Sequence, residues 1–476
     1  CYLEFVLLLY NSFMTVRTRI APSPTGEDLH IGNLYTGLLN YAFAKKHNGQ
    51  FIIRIEDTDR SRLIEKAEGR ILDGLKQFGL IYDEGPDVGG ASGPYRQSER
   101  VDTYHIYAKE LLEKGSAYYC FCTKDRLDKL RKKQQADKQM PRYDKHCLQH
   151  TKDAQKRVDQ GEQYVIRLNV PEKKEIAFND LLRGEIKIKS ENVDDQVLMK
   201  SDGFPTYHLA VVVDDHFMKI SHVIRGDEWI SSTPKHILLY EAFGWEKPIY
   251  VHTPLLRNAD KSKFSKRKNP VWAHWYLEHG FLPEAVINYI SLMGWSHPKQ
   301  KEIFDIDEFI SVFDPKDMHV VGPVFDIVKL EWMNGEYIRK ANNEELTTKI
   351  YEFYKGKYAE EMIEKTVPLV KERMKRLTEY ATLCEFFYKS PEEYQIDLKS
   401  HKNIISKMHD ELKKLKEWNA EAIGHAMQEL AAKEKMKNSE FFMILRIVFS
   451  GKKITPPLNE SIELLGKAES LKRLSV

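Results

Sequence analysis

The 476-residue chain predicts an α/β fold with a parallel sheet, followed by an all-α C-terminal region. Three observations carry that prediction. A strand, a turn-rich loop, a helix and a second strand follow one another between residues 15 and 55, the unit from which parallel sheets are built. A basic segment with three cysteines interrupts the alternation after Tyr118. Beyond about Phe325 the β-branched runs thin out, and Leu, Ile and Phe recur at spacings of three and four among dense Lys and Glu, as in a helical bundle.

Taken in order, residues 15–21 read as a buried strand that ends at the turn residues Pro22, Pro24 and Gly26. Leu34, Leu38 and Tyr41 fall at helical spacing, so an amphipathic helix is expected to start at Gly32 and Asn33. Residues 51–55 form the next strand, and the glycine-rich stretch 88–94 is a loop. Strand-like alternation returns at 164–168 and 197–199, and further strands fit 216–224 and 248–253. There is no internal repeat. The chain contains neither a Gly-x-x-x-x-Gly-Lys-Ser/Thr loop nor a Gly-x-Gly-x-x-Gly fingerprint, which argues against P-loop and dinucleotide sites.

With 42% hydrophobic and 30% charged residues the chain is globular, and its length implies two to four domains. A net charge of +2 hides local bias: residues 123–160 carry 12 Lys/Arg against 6 Asp/Glu, and residues 346–476 carry 24 against 20. Such stretches suit either a solvated face or a polyanion partner. Five cysteines, at positions 1, 120, 122, 147 and 384, are an odd and uneven set without a secretory pattern. They argue against a disulfide framework and for a reducing, cytoplasmic location. The first 14 residues read as an upstream extension, non-native or disordered, with Met14 as the expected start. Their apolar run is too short to span a bilayer, and no membrane partner is expected.

Two short segments carry the chemistry. His30-Ile-Gly-Asn33 lies at the mouth of the first helix, where free backbone N–H groups and the positive dipole end meet phosphate. Gly32 allows close approach of a nucleotide to the backbone. Lys263-Phe-Ser-Lys-Arg267 is a cationic loop suited to folding over the same phosphates. His30, Lys263 and Lys266 are the candidate catalytic donors, with Gly32, Asn33, Glu228, Ser265 and Arg267 as further ATP contacts.

This pair resembles the signatures written HIGH and KMSKS in class I aminoacyl-tRNA synthetases. From Thr18 to about Arg339 the chain further resembles the bacterial-type glutamyl-tRNA synthetases. The likeness rests on Ile55-Glu-Asp-Thr-Asp-Arg60, Lys200-Ser-Asp-Gly-Phe-Pro-Thr-Tyr-His208, Val213-Asp-Asp-His216, Ile224-Arg-Gly-Asp-Glu-Trp229 and Phe325-Asp-Ile-Val-Lys-Leu-Glu-Trp-Met-Asn-Gly335. It implies a Rossmann-like catalytic domain in two halves, 15–115 and 206–255, around an acceptor-stem-binding insertion at 116–205. A loop and helical stem-contact region at 256–340 and a helical anticodon-binding domain at 341–476 would follow.

The resemblance also implies the substrates: ATP with Mg²⁺, L-glutamate and tRNA(Glu), with tRNA(Gln) as a second acceptor in a non-discriminating form, and a monomeric enzyme that activates glutamate with tRNA already bound. A glutaminyl-tRNA synthetase and a non-catalytic tRNA-binding protein are the rival readings. Arg225 matches the position facing the side-chain carboxylate, where a guanidinium fork suits bidentate recognition; the plain alternative is an ion pair with Asp227 or Glu228. Arg19 and Tyr207 match assisting positions, Glu56 the one facing the α-amino group, and Ala21 and Ser23 substrate-contacting positions. One position departs: Val211 stands where the family commonly carries Asn, so an Asn there is expected to improve glutamate binding. Cys120, Cys122 and Cys147 resemble a structural zinc site in the insertion, with His150 or Tyr143 as the fourth ligand.

Overall fold

The computed structural model describes residues 15–264 and 269–475. The upstream extension and the expected contacts Ser265, Lys266 and Arg267 therefore lie outside the described residues. The chain divides into two compact units. The first runs through Trp275 and adds Ile287–Asp326; the second comprises Tyr276–Val286 and the chain from Ile327 onward.

The first unit opens with strand β1 (Arg17–Ile20), helix α1 (Ile31–Lys46) and strand β2 (Gln50–Ile53). β1 and β2 are parallel, with Arg17 opposite Gln50 and Ile20 opposite Ile53. α1 buries Ile31, Leu34, Leu38, Leu39, Ala42 and Phe43, a stripe wide enough for a helix packed into a core, and ends on Lys45 and Lys46, which suit the negative dipole end. Then come β3 (Ala117–Cys120), β4 (Val165–Leu168), β5 (Glu175–Asp180), β6 (Gly184–Lys189) and β7 (Val197–Met199), followed by α2 (Tyr207–Phe217), β8 (His222–Gly226), α3 (Thr233–Phe243) and β9 (Ile249–Thr253).

Strands β3, β4 and β7 make an antiparallel sheet with β4 in the middle. β8 and β9 are parallel, with Arg225 opposite His252. β9 also meets β5 in parallel through Asp180 and Tyr250, and β5 turns back on β6 as a hairpin, giving the order β6-β5-β9-β8. Part of the segment 116–205 thus joins the sheet of β8 and β9. Ser221 links β8 to β1: its N–H donates to the Arg17 carbonyl at 3.0 Å and its hydroxyl accepts from Arg17 N–H at 2.8 Å.

The expected strand over 216–224 needs correction. His216 and Phe217 close helix α2, and the strand begins only at His222. The β-branched run Val211-Val-Val213 favours a strand by propensity, but it lies in a helix buried on every side from Leu209 to Asp215, where packing decides.

The second unit is helical, with no strand among its described residues. Ile405, Met408 and Leu412 recur at three and four along Lys402–Lys414 and pack with Ile423, Met427, Phe441 and Leu445 in one apolar cluster. Ile338, Leu346, Ile350, Ile363, Val367 and Tyr380 form another. Among the described residues no helix is long and apolar enough to cross a membrane.

Candidate active site and cysteine centre

A cavity of about 990 Å³ opens between the β1–α1 loop, the C-terminal ends of β8 and β9 and the segment around Lys263. Its wall gathers every described residue that the sequence nominated for ATP and glutamate: Arg19, Ala21, Ser23, His30, Gly32, Asn33, Glu56, Tyr207, Arg225, Glu228 and Lys263. Ligands of open parallel sheets bind at this place, outside the carboxyl ends of the strands.

At one end His30 caps α1. Its Nδ1 accepts the Gly32 N–H at 3.0 Å, and its ring sits edge-on to Trp272. Burial, aided by Lys263, lowers its pKa, so the imidazole is neutral with its proton on Nε2, the nitrogen left to donate to an anion. A side chain on Gly26 would press on the Trp272 ring at 3.0 Å, so the loop keeps its place only with glycine there.

At the other end lies a buried ionic network. Asp215 takes a bidentate pair from Arg19, at 3.1 Å for both Nε and Nη2, and a 2.7 Å bond from Arg54 Nη1. Asp214 accepts from Arg100, Gln97 and Tyr104. Arg54 is fully buried, and its Nη2 lies 3.5 Å from Glu56 Oε1. That Glu56 oxygen is buried and has no hydrogen-bond partner. Burial raises the Glu56 pKa to about 7 against the opposing pull of Arg54 and Arg19.

Arg225 is different. It is 5% exposed, yet every described partner is neutral: Nε donates to His252 Nε2 at 3.1 Å, Nη1 to Tyr207 Oη and His236 Nδ1 at 3.3 Å each, and Nη2 to Thr233 Oγ1 at 2.7 Å. No carboxylate among the described residues is ion-paired to it, and Asp227 pairs instead with Arg183 at 3.2 Å. The alternative of an ion pair with Asp227 or Glu228 is thereby corrected. A buried guanidinium that faces a cavity and has only neutral hydrogen-bond partners is suited to receive a carboxylate.

Val211, one turn beyond Tyr207, is 1% exposed and belongs to the apolar cluster of Leu209, Ala210 and Val212, and it does not line the cavity. The expected gain from Asn at this position remains a proposal, tested by the glutamate KM of Val211→Asn.

Three thiols converge elsewhere in the unit. The Sγ atoms of Cys120, Cys122 and Cys147 lie within 4.8 Å of one another, with Cys122 and Cys147 at 3.5 Å. The edge of a tetrahedral zinc–sulfur site is about 3.8 Å, for bonds of about 2.3 Å. Tyr143 Oη lies beside them, at 3.4 Å from Cys120 Sγ and 3.2 Å from Cys122 Sγ. The Arg167 guanidinium lies 4.1 Å above the Tyr143 ring, a neighbour suited to an anionic cluster. His150 is exposed and outside the group of converging ligand atoms. The donor set fits zinc.

Sequence reasoning missed Arg54, Asp180, His236 and His252. Asp214 and Asp215 were readable as a pair of acids inside an apolar run, which demands buried cations nearby. The histidines carried no comparable signal.

Comparison with known proteins decides the lineage. The family profile for the catalytic domain of class I tRNA synthetases (E and Q) matches residues 15–332. The chain belongs to that family. A profile for an anticodon binding domain matches residues 342–476. The chain is 45% identical to a glutamate–tRNA ligase of Acidothermus cellulolyticus over 97% of this chain and 95% of that one. It is 46% identical to the glutamate–tRNA ligase of Pseudoalteromonas translucida over 97% and 95%. The crystal structure of a glutamate tRNA ligase from Elizabethkingia meningosepticum in complex with its amino acid superposes with a TM-score of 0.86 at 34% identity, over 97% of this chain and 98% of that one. In this class I synthetase the HIGH-type segment is His30-Ile-Gly-Asn33, whose last residue is exposed on the cavity rim.

Proposed function

We infer that this chain is a glutamate–tRNA ligase, which joins L-glutamate to the 3′ end of tRNA(Glu) at the expense of ATP. The observation that carries the substrate assignment is Arg225, buried in the cavity wall without a carboxylate partner among the described residues. Glutamate supplies the missing anion. Glutamine, of nearly the same shape, leaves the cation uncompensated and is rejected by several kcal/mol. The Glu56 carboxylate, which lines the cavity beside Arg54, receives the substrate ammonium, and Tyr207 and Arg19 flank the chain between them.

The glutamate α-carboxylate oxygen bonds to the α-phosphorus of ATP as the bond from that phosphorus to the bridging oxygen of pyrophosphate breaks. His30, the N-terminal amides of α1, Lys263 and Lys266 stabilise the charge that builds on the phosphates. The terminal ribose hydroxyl of tRNA then attacks the mixed anhydride, and AMP leaves carrying the proton on its phosphate. No covalent enzyme intermediate is needed, so positioning and charge supply the rate. Bound Mg²⁺ would neutralise the pyrophosphate oxygens. Zinc at Cys120, Cys122, Cys147 and Tyr143 would hold the insertion together, away from the reacting atoms.

The insertion at 116–205 and the helices after 341 are read as the acceptor-stem and anticodon surfaces of a cytoplasmic monomer. Charging purified tRNA(Glu) and tRNA(Gln) side by side, with glutamate and with glutamine, tests the reading. ATP-dependent glutamylation of tRNA(Glu) is expected, and charging of tRNA(Gln) as well marks the non-discriminating form. Charging by glutamine alone, or none, overturns it.

A further inference from the structure

Behind the Arg225 fork stands a second pair of residues with no part in the chemistry described so far. Asp180 closes strand β5, and His252 lies on the adjacent β9; both are buried. The Asp180 carboxylate is held from three sides by backbone N–H groups. Oδ1 accepts from Leu182 at 3.1 Å and Arg183 at 2.9 Å, and Oδ2 from His252 at 2.9 Å. The same Oδ2 lies 2.7 Å from His252 Nδ1.

A carboxylate can only accept, so the proton of the neutral imidazole must sit on Nδ1. Nε2 is then a lone pair, and it faces Arg225 Nε, which can only donate, at 3.1 Å. The other tautomer would set N–H against N–H. Thr233 braces the opposite arm of the fork with a 2.7 Å bond from Nη2, while the two contacts at Nη1 are long, at 3.3 Å, and yield easily to a ligand. The neighbouring imidazoles obey the same rule. His236 Nδ1 accepts from Arg225, so its Nε2–H donates to His208 Nδ1 at 3.1 Å.

We propose that Asp180 and His252 act as a positioning dyad: Asp180 fixes the His252 tautomer, and His252 holds the Arg225 fork turned toward the substrate's side-chain carboxylate. The dyad does not touch substrate. It acts through Arg225, and the proposal rests on the reading of Arg225 as the carboxylate receptor.

Asp180→Asn keeps size and shape but turns an acceptor into a donor at Nδ1, forcing the proton to Nε2 and against Arg225. His252→Gln is the companion variant, since one amide carries both a donor and an acceptor. Two measurements are made on the full chain. Long-range ¹H–¹⁵N correlation on histidine-labelled protein, with His252 assigned by its loss in His252→Gln, reports the tautomer without any assay. Steady-state aminoacylation with tRNA(Glu) reports KM and kcat for glutamate, with KM for ATP as control.

The expected result is an Nδ1–H tautomer in the parent protein, and in Asp180→Asn a glutamate KM raised about 10- to 100-fold, with kcat and ATP KM little changed. His252→Gln is expected to fall between the two. An Nε2–H tautomer in the parent, an unchanged glutamate KM in Asp180→Asn, or a parallel loss in the ATP and glutamate constants each overturns the dyad. If glutamate is not the amino acid, the parent protein itself fails to charge it while the tautomer still reads Nδ1–H, so the two failures are told apart.

Discussion

Glu56 Oε1 and Arg54 Nη2 face each other at 3.5 Å, buried, and neither atom has a hydrogen bond. We propose that the substrate ammonium meets this carboxylate from the cavity, whose wall Glu56 joins.

This arrangement makes glutamate binding pH-dependent. Burial holds the Glu56 pKa at about 7 in the ligand-free protein, above its ordinary 4.5, and only the ionised form pairs with an ammonium. KM for glutamate is therefore expected to fall as pH rises from 6 to 8 and to level off above 7, by at most about tenfold per unit on the acid side. Between pH 4.5 and 7 the native carboxyl binds more proton than the unfolded chain, so Glu56 makes the ligand-free protein less stable as pH climbs. Glu56→Gln should raise KM and flatten its profile; a parent KM independent of pH from 6 to 8 rules the argument out.

Arg225 carries the choice of amino acid in the reading proposed above. Arg225→Met is expected to raise KM for glutamate by about 100-fold or more, the scale of losing a buried charge partner. Arg225→Lys should recover little, because a point charge lacks the fork. Glutamate should raise the Tm of the parent in a thermal scan and leave that of either variant unmoved. A Tm gain retained in Arg225→Met would place the carboxylate elsewhere.

Removal of metal should loosen the cysteine lobe and spare the pocket. Metal analysis is expected to find about one zinc per chain, reduced in Cys147→Ser and in Tyr143→Phe and unaltered in His150→Ala. Zinc loss in His150→Ala with retention in Tyr143→Phe would reverse the ligand assignment.

Lys266 lies outside the described residues and is assigned from its motif alone. Lys266→Ala is expected to cut kcat by about 100-fold or more while KM for glutamate barely moves, because the ammonium meets charge that develops only as pyrophosphate departs. Single-turnover kinetics with tRNA present measure this; an effect confined to KM contradicts it.

How far the sequence could be read depends on distance along the chain. Glu56, Tyr207 and Arg225 were legible as lining one cavity because each sits inside a contiguous motif. Asp180 and His252 were not. They are 72 residues apart and meet only because β5 lies beside β9, a tertiary register that no local pattern announces. The fourth zinc position was ambiguous for a related reason: His150 and Tyr143 are both near Cys147 in sequence, and only the fold turns the phenol inward. The misread strand at 216–224 is an error of boundary, since His216 and Phe217 end a helix and the extended segment starts only at His222.

The pairing of β3 with β4 has a consequence for modularity. Cys120 stands opposite Val165, so the chain leaves the sheet at Phe121 and re-enters beside its point of departure. Residues 121–164 leave and return at one point of this sheet, tied back to it by Tyr143 on Asp194 and Lys145 on Val170. The wider segment 116–205 is no such cassette. A graft cut at those ends would carry Asp180 away with it and leave the recipient's arginine unaimed, so chimeric synthetases are best spliced between Cys120 and Val165.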